Sequence, residues 1–459
     1  MRLVLLVALA TLVAGCVQVP GAVTEADLPV DDLLFFLAAD HDHLDPLQHA
    51  AALGLAQLAH DPLDLDGTGP RTFGEIDIVG DIAVVAVLQP TGGFVSVDIS
   101  DPAAPKPLAF YQAGATYAGD VKLSPDGRYA FVGANGLYAQ DRILENPLLA
   151  PTASRSAGVH VVDMSDPAMP RFRSFYPLPN TGVHMLDVHV IGGDTYVFSV
   201  YGGLRSPLPV GLPLPVPGLG SAVDIARLES APDGTPRLLP AGQYASRAHD
   251  ITVYDDETLG ATMLCACGTR GMAIVDVKDP ANPVELGLWE GHDGLYVHTA
   301  MPALVEGKRV VVAVPETFSA EFQQPLWVID ASEPGAMATL GTWRLPGPDL
   351  PYDAGYRFST HNINILDNKV YLAHFHAGVW VLDISTTEKL AEPEAIAYFL
   401  AGHEVELGPS LGIPAVPLVW EAIPAKGFVF VSDIGAGLFV LDAAFDVPDG
   451  LPYGTRGLV

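Results

Sequence analysis

The sequence predicts an all-β fold, a seven-bladed β-propeller of four-stranded blades, and three observations predict it. A short run of β-branched and aromatic residues ending in aspartate returns along the chain, with those aspartates at Asp98, Asp163, Asp224, Asp276, Asp330, Asp383 and Asp442. Their spacing stays between 52 and 65 residues, a period of the length that marks repeat architectures. Each copy is accompanied by further apolar runs, which makes four strands per unit and a closed ring of seven units.

Within a unit the recurring run, such as Gly271-Met-Ala-Ile-Val-Asp276, reads as a strand. The best copies continue into an Asp-Pro turn, since proline cannot donate to a ladder. A second apolar run precedes each copy, among them Tyr196–Val200 and Val310–Val314, and a third lies before that, as in Asp250-Ile-Thr-Val-Tyr254. A fourth follows the turn, as in Val284-Glu-Leu-Gly-Leu-Trp289. The last copy lacks that fourth strand, because residues 443–459 hold two prolines and three glycines. An orphan run at Leu53–Leu58 matches it in pattern, so an N-terminal strand is expected to complete the last blade and remove an exposed edge.

Residues 1–16 read as a processing segment: Met1-Arg2, an apolar run over Leu3–Val13, then Val13-Ala14-Gly15-Cys16. That tetrad resembles the lipobox of prokaryotic lipoproteins, which implies a lipid on Cys16 and an extracytoplasmic protein held to the membrane by that anchor only. The run is too short to span a bilayer. Residues 17–45 read as a tether with a docked segment at Leu33–Leu37, and 46–459 as the propeller. His41 and His43, set among Asp40, Asp42 and Asp45, are secondary metal candidates, with a solvated turn as the alternative.

The formal net charge is −31, from 54 acidic against 23 basic residues. Such a surface repels phosphate backbones, which argues against nucleic acid as a partner. Cys265 and Cys267 fall two apart in one predicted strand, where a disulfide would be strained, so they read as two small buried residues, with a soft-metal pair as the alternative. Asp61-Pro-Leu-Asp64-Leu-Asp66-Gly67 departs from a calcium loop, since its first ligand position falls on Pro62 and its twelfth on Phe73. Insertions at 134–157, 206–220 and 346–358 interrupt the blades, and long loops on a rigid ring are where protein or small-molecule partners bind.

Aligned by eye, the channel-lining strands begin Ile76-Asp77, Gly119-Asp120, Leu186-Asp187, His249-Asp250, His298-Thr299, His361-Asn362 and Trp420-Glu421. The second column is polar throughout, and the first holds histidine in three consecutive blades. His249, His298 and His361, with Asp250 or Glu421, are therefore candidate ligands for zinc, copper or iron, which accept neutral nitrogen donors. His374, His376, His184 and His189 are nearby candidates. The alternative is a wet tunnel whose polar residues bind water and one another. No Gly-x-Ser-x-Gly, Walker loop or dinucleotide fingerprint occurs.

The unit Val97-Asp-Ile-Ser-Asp-Pro102, with Val162-Asp-Met-Ser-Asp-Pro167 and Val275-Asp-Val-Lys-Asp-Pro280, resembles the LVIVD repeat of prokaryotic surface and secreted proteins. That resemblance implies a surface propeller and no particular activity. A fainter similarity is to the selenium-binding protein and methanethiol oxidase family, whose channel-mouth histidines hold a metal, and it carries over only to His249, His298 and His361. Three functions stay open. One is a lipid-anchored binding scaffold without chemistry of its own. The second is a metal-dependent oxidative enzyme at the channel mouth, and the third is calcium held by the acidic ring for rigidity.

Overall fold

The computed structural model describes residues 51–449, apart from 66–70, 90, 115–117, 136–156, 179–181, 202–221, 317–323, 346–358 and 402–416. Cys16, His41 and His43, the 1–16 and 17–45 segments, and the 206–220 and 346–358 insertions lie outside the described residues.

Two short strands come first, β1 (Ala51–Leu53) and β2 (Leu55–Asp61). Blade one is β3 (Thr72–Val79), β4 (Ile82–Gln89), β5 (Gly93–Asp98) and β6 (Lys106–Gln112). Blade two is β7 (Val121–Leu123), β8 (Tyr129–Ala134), β9 (Gly158–Asp163) and β10 (Arg171–Pro177). Blade three is β11 (Val183–Ile191), β12 (Asp194–Tyr201), β13 (Ala222–Ser230) and β14 (Pro236–Tyr244). Blade four is β15 (Asp250–Asp256), β16 (Gly260–Ala266), β17 (Met272–Asp276) and β18 (Val284–Trp289). Blade five is β19 (Val297–Val305), β20 (Lys308–Pro315), β21 (Leu326–Asp330) and β22 (Ala338–Trp343). Blade six is β23 (Ile363–Leu366), β24 (Lys369–Ala373), β25 (Val379–Asp383) and β26 (Glu394–Leu400), with a short helix α1 (Thr387–Ala391) before its last strand. Blade seven is β27 (Val419–Ala425), β28 (Phe428–Asp433) and β29 (Gly437–Ala443).

The predicted ring is present, seven antiparallel blades with the first strand of each innermost. Its closure is the predicted one: β2 pairs with β29, Gln57 opposite Leu441 and His60 opposite Phe439. The sequence reading did not foresee that β1 adds a fifth strand to blade six, Ala51 opposite Leu400. Gly54, at φ +65°, turns the chain between the two, so one segment straddles the last seam.

The recurring aspartates close turns. Asp98 Oδ1 accepts from the Ser100 N–H, Asp163 from Ser165, Asp276 from Lys278, Asp330 from Ser332 and Asp383 from Ser385, at 2.8–3.0 Å. Asp101, Asp166 and Asp279 do the same two residues onward. Two successive Asx turns thus swing the chain from the third strand into the fourth. Each fourth strand then carries a register shift against the third. At that bulge the next blade's turn comes close. A Cβ on Gly287 would lie 1.6 Å from the Pro334 carbonyl oxygen, so only glycine fits.

Between blades the strand faces bury aliphatic and aromatic side chains. Trp380, Tyr398, Val312 and Val328 meet in one such layer, each at 0 % exposure. Every large side chain so buried stabilises by about 1.5–3 kcal/mol.

One expectation is corrected. Cys265 and Cys267 are both buried, as read, but they form a disulfide, with 5.4 Å between Cα atoms. β16 ends at Ala266 and the chain turns at Cys267, whose carbonyl accepts from Arg270 N–H. An extended pair two residues apart would span about 6.6 Å, at the upper end of the bridging range; the turn brings the α-carbons to 5.4 Å, near the common bridging distance.

Candidate metal centre

Two polar layers line the channel, and the hydrogen bonds between blades fix which residues share a layer. In the upper one stand Glu75, Asp120, Asp250, Thr299, Asn362 and Glu421, with Met185; below lie Asp77, Lys122, Asp187, Thr252, Met301 and Asn364. The alignment by eye is therefore two residues off in blades one and three. Asp77 and Asp187 belong to the lower layer, and the residues level with His249-Asp250 are Gly74-Glu75 and His184-Met185. The cause is local. β11, β19 and β27 carry bulges between Val183 and Met185, Val297 and Thr299, and Val419 and Glu421, and β3 is irregular between Phe73 and Ile76. A bulge adds a residue without any sign in the apolar pattern.

These layers stitch the ring. Asp77 accepts from Leu123 N–H, Asp120 from Leu186, and Asp187 from Val253, all at 2.7 Å; Glu421 accepts from Ile76 at 2.9 Å. Thr252 donates to the Ala300 carbonyl, Thr299 to Asn362, and Asn364 to the Ala422 carbonyl, at 2.9–3.1 Å. Each of the seven seams is thus bridged by at least one channel side chain. Asp250 is hydrogen-bonded to Thr299 of the next blade and Glu421 also accepts from Asn364, which places the two candidate carboxylates in this stitching.

Burial governs the charge of the upper layer. It pushes Asp250 up to about 7 and Asp120 up to about 6, although Lys122 stands 3.4 Å from Asp120 and pulls the other way. Glu75 rises well above the carboxylate range through burial and the adjacent Glu421. For Glu421 burial also raises, but Lys122, the Glu75 hydrogen bond and the Ile76 and Asn364 donors outweigh it and hold it below the usual range. Glu75 therefore keeps the proton of this pair. The layers line a small cavity of about 20 Å³, room for a single water.

At the rim the predicted histidines do converge, and a fourth joins them. His184 Nε2 lies 3.1 Å from His249 Nε2. The His249 and His298 rings are 4.2 Å apart, His298 and His361 4.3 Å, and His361 and Trp420 4.1 Å. Five neighbouring blades thus contribute one arc of rings, three of them from the bulges. His361 Nδ1 lies 2.9 Å from the Trp420 carbonyl, an acceptor only, so that nitrogen carries the proton and Nε2 keeps the lone pair. Phe375 and Tyr296 wall the arc, 4.8 Å from His361 and 5.3 Å from His249.

The carboxylate of the arc is Glu316, which sequence reasoning missed. It follows β20 directly, and its Oε2 lies 3.6 Å from His298 Nε2. Donor atoms of His249, His298 and Glu316 all fall within 4.8 Å of one another, and all three residues are buried. Adjacent ligands at 2.0–2.1 Å from a tetrahedral ion stand about 3.3 Å apart, close to the 3.6 Å between His298 and Glu316, while His184 and His361 fall outside the triplet. Imidazole nitrogens and a carboxylate are donor types that a transition-metal ion accepts. The signal for Glu316 was its place at the end of a second strand, beside the start of the first.

The secondary candidates divide. His374 and His376 lie in the β24–β25 turn at the same rim but outside that triplet. Burial pushes His374 down to about 4, and His376 Nδ1 donates to the Pro417 carbonyl. His189 sits deeper, its Nε2 3.3 Å from Asp255. In an antiparallel meander the second-to-third and blade-to-blade connections leave from the face where first strands begin. The described strand ends flanking 136–156, 202–221, 346–358 and 402–416 therefore lie on the rim face.

The model of the LVIVD repeat matches residues 72–111, which are blade one, and 265–289, from the end of β16 through β18. No curated protein matches this chain. Among solved structures, the WD40 repeats of RRP9 align with a TM-score of 0.50 at 10% identity, covering 85% of this chain and 97% of that one. Sqt1 of Saccharomyces cerevisiae aligns with a TM-score of 0.50 at 10% identity, covering 85% and 100%. At that identity the likeness is one of fold.

Proposed function

We propose that this protein is a binding scaffold, lipid-anchored outside the cytoplasm through Cys16, with one transition-metal ion seated at the rim of its channel. The observation that supports the metal is the meeting of His249, His298 and Glu316, with His184 and His361 on either side. Two to four imidazoles and one carboxylate suit zinc, copper or iron; calcium takes six to eight oxygens and finds too few here. The connections on the rim face are the surface on which a protein partner or small ligand would dock.

A second reading, metal-dependent oxidation, is favoured by one feature. Two histidines and one carboxylate are the donor set of oxygen-activating iron sites when other positions stay open. If His184 and His361 fill those positions the ion is structural; if they do not, it can take a ligand.

Elemental analysis of residues 17–459 beside a His249/His298/Glu316 triple alanine variant tests the seat. About one equivalent of metal is expected in the wild type and none in the variant, by the geometry of one shell. No metal after reconstitution with zinc, copper or iron would remove it. Azide added to cobalt-loaded protein then separates the readings: a changed visible spectrum means an open position, an unchanged one a closed site. Cys16→Ala is expected to abolish incorporation of a labelled fatty acid and release the protein from membranes.

A further inference from the structure

Thr299 belongs to the stitching layer, yet its hydroxyl also touches the rim. His298 Nδ1 lies 2.8 Å from Thr299 Oγ1, and Thr299 Oγ1 lies 3.1 Å from Asn362 Oδ1. Asn362 Nδ2 lies 2.5 Å from Glu75 Oε1, which also receives the Trp420 indole N–H at 3.0 Å. These contacts form a chain whose direction can be read.

An indole N–H only donates, so Glu75 Oε1 accepts, and the proton Glu75 keeps is spent in its hydrogen bond to Glu421. The Asn362 group facing it is then the NH₂, and the carboxamide oxygen faces Thr299. A hydroxyl has one proton, which Thr299 gives to that oxygen. The Asp250 carboxyl, also hydrogen-bonded to Thr299, competes for the same proton. The remaining contact must run the other way. His298 donates from Nδ1 to Thr299, and in the neutral ring Nε2 then keeps the lone pair, facing Glu316 Oε2 at 3.6 Å.

We infer that Thr299 is a positioning residue: through Asn362 and Glu75 its direction is set by the Trp420 indole, and it holds His298 in the Nδ1–H tautomer with Nε2 turned to the metal seat. A neutral imidazole in water favours the opposite tautomer, so without Thr299 the ring presents a proton where an ion must bind. The purpose of this arrangement rests on the metal reading above; the tautomer itself belongs to the metal-free protein. Second-sphere partners of this kind typically change metal affinity by about 10–100-fold.

The experiment uses ¹⁵N-histidine-labelled, metal-free protein as wild type, Thr299→Val and Thr299→Ser, with His298 assigned by its loss in His298→Gln. Long-range ¹H–¹⁵N spectra report the tautomer, and zinc titration by calorimetry reports affinity. The expected result is Nδ1–H at His298 in the wild type and Nε2–H in Thr299→Val. Zinc binding should fall about 10–100-fold in that variant and return to within about threefold in Thr299→Ser. An Nε2–H ring in the wild type, or a valine variant with unchanged tautomer and affinity, would overturn the inference. If Thr299→Val does not fold, the wild-type spectrum and the serine variant decide it. A wild type that switches tautomer as expected but takes no zinc would sink the metal reading and leave Thr299 as the residue that orients His298.

Discussion

The rim arc and the stitching layers are neighbours in sequence and opposites in use. His249 and Asp250, His298 and Thr299, and His361 and Asn362 are consecutive residues on the same three inner strands. The second of each pair is spent on the next blade: its oxygens or amide meet backbone or side chains across a seam. The first of each pair faces other rings and, at His298, Glu316, while Nδ1 of His298 and of His361 is held by Thr299 and the Trp420 carbonyl. Burial alone does not distinguish them, for both are nearly inaccessible. What differs is whether a polar atom's partner is part of the fold's own wiring. A buried group with such a partner stabilises; a cluster of lone pairs facing one another has a use for a cation.

The largest effect expected from breaking this contrast is in the lower layer. Asp187 accepts from Val188 N–H at 2.8 Å and from Val253 N–H at 2.7 Å, holding blades three and four together. Asp187→Ala leaves two buried donors without their carboxylate and should cost about 2–4 kcal/mol. The melting temperature should drop clearly while zinc binding to the folded protein stays as in the wild type. A variant that melts normally would mean the seams do not depend on these bonds.

A smaller effect on the fold, and a larger one on metal, is expected at the rim. Glu316→Gln keeps the shape and removes the charge beside His298. Its metal-free stability should change by less than about 1 kcal/mol, because glutamine keeps the shape and can still hydrogen-bond. Its zinc affinity should fall by more than the roughly 10–100-fold of a second-sphere change, because a ligand is lost. Equal losses in stability and affinity would erase the distinction between the two regions.

The ring, its blade count and its closure by an N-terminal strand could be read from the chain because they follow from a repeated apolar period. That period survives even in blade three, where Ala222-Val-Asp224-Ile is a weak copy yet β13 forms beside β14. The histidines were legible as a column for the same reason. Register within the channel was not. The bulge at His184 and the irregularity between Phe73 and Ile76 shift the inner strands without altering which residues are apolar, so Asp187 and Asp77 were set one layer too high. Glu316 was hidden because it follows a strand whose neighbours are all aliphatic, and only the ring brings it to His298. The Gly287 bulge was likewise invisible: its reason is the Pro334 carbonyl of another blade.

The smallest effect sharpens the comparison through pH. Asp120 bridges blades two and three, and burial lifts it from the ordinary aspartate value to about 6. In the unfolded chain it loses its proton near pH 4, so between there and pH 6 the native state holds more protons than the unfolded one. Stability from this group is fully present below about pH 4 and is lost as pH rises through its folded value. Asp120→Asn keeps an oxygen for the Leu186 N–H and cannot ionise. The wild-type melting temperature should therefore fall more than that of Asp120→Asn between pH 4.5 and 7.5, by on the order of 1–2 °C. Both proteins carry the same rim, so the histidines that titrate in this window cancel in the difference. Parallel pH profiles would show that Asp120 is ionised throughout in the folded protein, with Lys122 at 3.4 Å outweighing its burial.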